Sequence, residues 1–130
     1  MTDIRGQLQL ALDNALYADK VYSYWNRKTE TTGENASEYV VYTLSGDRAD
    51  AHADNLPLVK VAGATVIYYY RDTLLETHIG RESVKQRQQS IESALLSVGF
   101  SIPFGAFDGG DIEDNGYATI IFECEYWRVV

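Results

Sequence analysis

The sequence predicts a single α+β domain, with two helices packed on one face of a mostly antiparallel sheet of about four strands. Three observations carry that expectation. The chain has 130 residues, of which 45% are hydrophobic, and that length supports one core but not two. Ten residues are tyrosine, and aromatic side chains favour strands. Two stretches space their apolar residues at helical period, and each needs an apolar surface that one face of a sheet supplies.

The first helix is expected over residues 3–17, where Ile4, Leu8, Leu12, Ala15 and Leu16 form one apolar stripe and Thr2 or Asp3 is suited to cap it. The pattern breaks at Val21. From there Val-Tyr-Ser-Tyr-Trp reads as a short extended segment, and Asn26 to Ser37, polar and holding Gly33, reads as a mobile surface loop. From Glu38, Tyr39, Val41 and Thr43 alternate with Val40, Tyr42 and Leu44 across two strand faces. Ser45, Gly46 and Asp47 mark a break. Leu58 to Arg71 is the longest strand candidate, with Pro57 placed at its start and Gly63 suited to a bulge or bend.

Residues 82–98 return to helical period. Val84, Ile91, Leu95 and Val98 share a side with Gln88 and Ala94, while Lys85, Gln86, Gln89, Glu92 and Ser93 face solvent. Gly99 is placed to end this helix in the left-handed conformation. Phe100 to Phe107 reads as a short strand interrupted by Pro103, and Asp108 to Gly116 as a hairpin connection closed by Asn-Gly. The last strand, Tyr117 to Arg128, sets Ala118, Ile120, Phe122, Cys124 and Tyr126 on one face and Thr119, Ile121, Glu123, Glu125 and Trp127 on the other. The sheet face away from the helices then carries Trp127, Ile121 and several tyrosines. That is more apolar area than a monomer leaves exposed, so an interface is expected, with Tyr39, Tyr68, Tyr70, Ile121 and Trp127 as its residues.

Charge narrows the function classes. A net charge of −8 and a pI near 4.6 repel phosphate backbones, which argues against a DNA-reading module. The lone Cys124 has no internal disulfide partner, the start lacks a secretory pattern, and no apolar run approaches a membrane span. A soluble cytoplasmic protein is expected.

No catalytic or cofactor-binding constellation emerges. Read as a calcium loop from Asp111, Glu113 and Asn115 fall at the third and fifth positions and Gly116 at the sixth, but Phe122 stands where a bidentate Glu must close the shell. His52 and His78 lack zinc-ligand spacing, and Cys124, between Phe122 and Tyr126 on an apolar strand face, reads as an inert thiol. Gly109-Gly110 precedes a strand-forming region and so makes no phosphate cradle. Arg81, Lys85 and Arg87 read as a solvated helix face beside Glu82. No enzyme activity, metal or cofactor is expected.

Several features together are familiar: the short chain, the N-terminal helix before Val-Tyr-Ser-Tyr-Trp, and Tyr39-Val-Val-Tyr42 opening a long hairpin. To these are added the helix Glu82 to Val98 ending in Gly99-Phe100 and the closing strand Tyr117 to Trp127. In this order and texture the chain resembles the tail terminator and tail-completion proteins of long-tailed bacteriophages and prophages. The resemblance implies a structural protein forming a ring, commonly of six subunits, that caps the tail tube, stops its polymerisation and joins it to the head connector. Its implied partners are its own copies, the tail-tube protein and head-connector proteins. DNA is only a passing, non-specifically contacted cargo, and no membrane is involved. It would reside in the host bacterial cytoplasm during assembly and at the tail end or neck of the virion afterwards. An acidic lining lets DNA slide. From Asp108 to Val130 six carboxylates against Arg128 give a net −5. Asp108, Asp111, Glu113 and Asp114 are thus candidates for a lumen or docking loop.

Two other classes remain open at this stage. In one, the tyrosines line a small-ligand or catalytic pocket instead of an interface. In the other, the domain is an adaptor that binds a partner by strand addition.

Overall fold

The computed structural model describes residues 4–26, 37–45, 48–53, 56–112 and 115–129; in 48–53, 56–60 and 128–129 the backbone alone is described. The chain runs α1 (Ile4–Leu16), a 3-10 turn (Tyr17–Asp19), β1 (Tyr22–Trp25), β2 (Glu38–Leu44), β3 (Arg48–Ala53) and β4 (Leu56–Arg71). A second 3-10 turn (Asp72–Glu76), α2 (His78–Val98), β5 (Ala106–Gly110) and β6 (Tyr117–Val129) complete it. The sheet order is β1-β2-β4-β6-β5, with β3 also paired to β4.

The α+β class, with two helices packed on one face of a mostly antiparallel sheet, is as the sequence predicts; the other face is not fully open, because its tyrosines bury one another. Leu8, Leu12 and Leu16 of α1 and Val84, Ile91, Ala94 and Leu95 of α2 pack on Val40, Tyr42, Val66, Tyr68, Tyr70, Ile120 and Phe122 from the sheet. The alternation in β2 and β6 places both face assignments correctly, Cys124 among the buried set. Among the described residues no helix is long and apolar enough to cross a membrane.

Six strands appear where about four were expected. One addition is β1, which joins the edge parallel to β2 in the register Tyr22↔Tyr39 to Trp25↔Tyr42. Parallel pairing needs a connection of about a dozen residues, and the chain between Trp25 and Glu38 has that length. The other is β3, which resumes pairing with β4 after the break at Ser45, whose Oγ accepts from the Gly63 N–H at 3.0 Å. Gly46, Asp47, Gly33, the caps proposed at Thr2 and Asp3, and the loop between Asn26 and Ser37 lie outside the described residues.

Around α2 the boundaries shift. It begins at His78, earlier than the apolar periodicity suggested, because Thr77 caps it by accepting from the Gly80 N–H at 3.0 Å. It ends as expected at Gly99, whose φ of 104° is left-handed. The strand read over Phe100 to Phe107 is corrected. Phe100 is buried under the helix end, Ser101 makes a single bridge to Glu125, and a turn closes where Gly105 N–H donates to Ile102 O at 3.0 Å. Pro103 has no N–H to give a ladder, so regular pairing resumes only at Ala106. The strand then runs on to Gly110, so Asp108 to Gly110 belong to β5 and not to the hairpin connection.

Candidate interaction surface on the open sheet face

Strand alternation decides what the uncovered face presents. Residues paired across strands share a face, so Tyr22 and Tyr24 of β1 line up with Tyr39 and Val41 of β2, these with Ile67 and Tyr69 of β4, and these with Thr119 and Ile121 of β6. Tyr24, Tyr39, Tyr69 and Tyr117 form a second apolar cluster, separate from the helix-side core, with Tyr22, Val41 and Ile67 packed on it. Tyr39 is its hub. Its ring stacks on Tyr69 at 4.6 Å between centroids and 9° between planes. It meets Tyr117 edge-on at 5.2 Å and Tyr24 at 6.4 Å. The Arg71 guanidinium lies 4.3 Å over the Tyr117 ring, adding a cation–π contact at one end.

Toward β5 the face opens. Phe107 pairs with Ile121 and remains 44% exposed, and Trp127, near the end of β6, is 49% exposed. Ile121 is half-buried because it lies over Gly109, where an added Cβ would stand 2.7 Å from its Cδ1. Farther along, Thr65 Oγ1 donates to Glu123 Oε2 at 3.0 Å, giving the apolar strip a polar margin. An apolar centre with a polar margin is the ordinary anatomy of a protein interface.

Of the five residues expected at an interface, three stand on this face: Tyr39, Ile121 and Trp127. Tyr39 is only 7% exposed and serves the cluster from within. Tyr68 and Tyr70 are corrections. Both lie on the helix side of β4 and are buried in the main core, Tyr68 completely. In the run Tyr68-Tyr69-Tyr70 one ring must point opposite to its neighbours, and Thr65, in phase with Tyr69 and opposite to Ala64 and Val66, marks that outward phase. Tyr117, in phase with Ile121 and Trp127, was legible in the same way. Tyr24 and Phe107 needed the pairing partners of β1 and β5.

The acidic residues hold their own backbone. Asp108 Oδ1 accepts from the Gly110 N–H at 2.9 Å. Asp111 accepts from the Asn115 N–H at 3.1 Å and from the Gly116 N–H at 2.9 Å, closing the turn into β6. Both are exposed, while Glu113 and Asp114 lie outside the described residues.

On the helix side, Arg87 corrects the reading of a solvated basic face. Arg81 and Lys85 are exposed, but the Arg87 side chain is 13% exposed and donates to Asp19 Oδ2 at 2.7 Å and to Glu38 Oε1 at 3.1 Å. Burial opposes the charge on Arg87, yet the two carboxylates outweigh it and raise its pKa. Glu38 also accepts from the Tyr68 hydroxyl. Burial, and then that carboxylate, push the Tyr68 phenol far above the ordinary tyrosine range. In parallel, Gln9 accepts from the Tyr42 hydroxyl and donates to Asp13 Oδ1 at 3.0 Å. These bonds tether α1, α2 and the 3-10 turn to the sheet.

No family model and no curated protein matches the chain.

Burial pushes the Cys124 thiol up to about 12, leaving it protonated at neutral pH. Among the described residues no group of three or more His, Cys, Asp or Glu side chains is placed to hold a metal ion, and His78 is exposed at the start of α2. What stands out is a tyrosine cluster, buried by its own packing, on a sheet face that carries no helix layer among the described residues, with Phe107 and Trp127 exposed on the same face.

Proposed function

We propose that the protein is a structural assembly subunit of a long-tailed phage or prophage, forming a ring that caps the tail tube and joins it to the head connector. The observation that carries this reading is the open sheet face, where Phe107 and Ile121 flank a self-packed tyrosine cluster and Trp127 is exposed farther along β6, beyond the Thr65–Glu123 pair. Aromatic anchors of this kind concentrate binding energy at protein interfaces. A surface preassembled by ring stacking loses little side-chain freedom when a partner docks. The net −8 charge supports the same reading, since acidic walls let DNA pass without sticking. Asp108 and Asp111, exposed at the β5–β6 end, belong to that acidic surface.

The test is negative-stain imaging and solution mass of the purified chain, alone and mixed with tubes of the tail-tube protein encoded nearest to its gene. Rings, or caps on tube ends, are expected. Trp127→Glu combined with Phe107→Ser should remove them while leaving the fold intact, because both side chains are nearly half exposed and lie outside the two buried clusters. The deciding observation is made on tubes, since a ring that closes only there is a monomer in dilute solution. A chain that is monomeric alone and never binds tubes sinks the reading.

A further inference from the structure

On the solvent side of the helix layer, opposite the tyrosine face, α1 and α2 flank an open groove of about 980 Å³. From α1 it takes Leu10, Ala11 and Asn14, from α2 Gln89, Ser93 and Ala94, and none of the twelve residues that line it is charged. Exposed helix faces normally carry charge. Arg81, Glu82 and Lys85 are exposed at the start of α2 and Glu92 is partly exposed farther along it, but none of these charges lines the groove. Leu10 is 61% exposed at the groove and Leu96, on the last turns of α2, is 54% exposed.

We infer that this groove is a self-association surface, which a second copy of the chain occupies across a two-fold axis. The reason lies in the charge. Each copy carries −8, and in a two-fold interface any charge near the axis meets its own equivalent. A different, basic partner of so acidic a chain would be recognised by carboxylates. A surface cleared of charge is what two identical acidic chains require. Shape agrees with this. Ala11, Ser93 and Ala94 leave room for a facing helix, and the projecting Leu10 of each copy has the small residues of the other to enter. The groove involves fewer residues than the roughly 20–30 a side of a standard interface, so a weak dimer is expected. This inference does not depend on the tail-assembly reading, since the groove and the tyrosine face lie on opposite layers.

Sedimentation equilibrium of the full chain from low micromolar to near-millimolar concentration tests it. A monomer–dimer equilibrium is expected, tightening as added salt screens the charge on the two copies. Leu10→Lys and Ser93→Glu, both at exposed positions, should each weaken it at least tenfold, with circular dichroism and melting temperature reporting an unchanged fold. A monomer throughout the range overturns the inference. So does an oligomer that survives both substitutions, and one dissolved by Trp127→Glu alone would place self-association on the sheet face instead.

Discussion

Arg87 holds two carboxylates of unequal worth. Asp19 is more than half exposed, so its ion pair is screened and contributes under about 1 kcal/mol. Glu38, as enclosed as Arg87 itself, also accepts from Tyr68, and removing either partner strands the rest in a poorly solvated site. Urea unfolding should therefore show Glu38→Gln and Arg87→Met each losing about 2–3 kcal/mol, with strong coupling in a double-mutant cycle, against a minor loss for Asp19→Asn. Equal losses at Asp19 and Glu38 would contradict this ranking. The enclosed phenol and thiol set the alkaline limit. The native state holds the Tyr68 and Cys124 protons more tightly than the unfolded chain does. Their contribution is complete below the ordinary thiol and phenol range. Above about pH 9 the unfolded chain sheds protons that the native state keeps, so stability falls as pH rises. The urea midpoint should drop progressively from there, and Tyr68→Phe or Cys124→Ala should each flatten the curve.

At the scale of elements, α2 shows how local signals and tertiary contacts divide the work. Its apolar period and its closing glycine were both plain in the sequence, but its first turn was not, because Ile79 there is exposed and belongs to no stripe. The Thr77 cap supplied that turn. At the other end, a side chain at Gly99 meets both the left-handed backbone and the Tyr126 ring, 3.1 Å from the added Cβ. Gly99→Ala should cost roughly 1–2 kcal/mol and Thr77→Ala about 1 kcal/mol, read as shifts in the urea midpoint with an unchanged slope. Loss of stability at neither end would mean that the helix is held by its packing alone. The same division explains β1. Four residues of extended texture form a strand only because β2 offers an edge, which no local pattern reveals.

Across the whole molecule, β4 and β6 pair along nearly their full lengths, from Val59↔Val129 to Arg71↔Tyr117, and both helices pack against the sheet they centre. β1 and β5 are edges. Hydrogen exchange should find the slowest amides in the shared centre of β4 and β6, at Val66 to Tyr68 and Ile120 to Phe122, and much faster exchange in β1 and β5. Uniform protection across the sheet would contradict this order. The sequence by itself determined the fold class, both helices, the two faces of β2 and β6, and the inert setting of Cys124, since each follows from the period of apolar residues within one segment. Only the tertiary structure decided that Tyr24 and Phe107 join the outer face, that Arg87 is an enclosed tether and not a solvated charge, and that Asp108 belongs to a strand. Those outcomes depend on register and on partners distant in the chain: Glu38 meets Arg87, and Phe107 faces Ile121, only after the strands have paired. A pattern of period two states that a strand has two faces, and only pairing assigns each one to core or to partner.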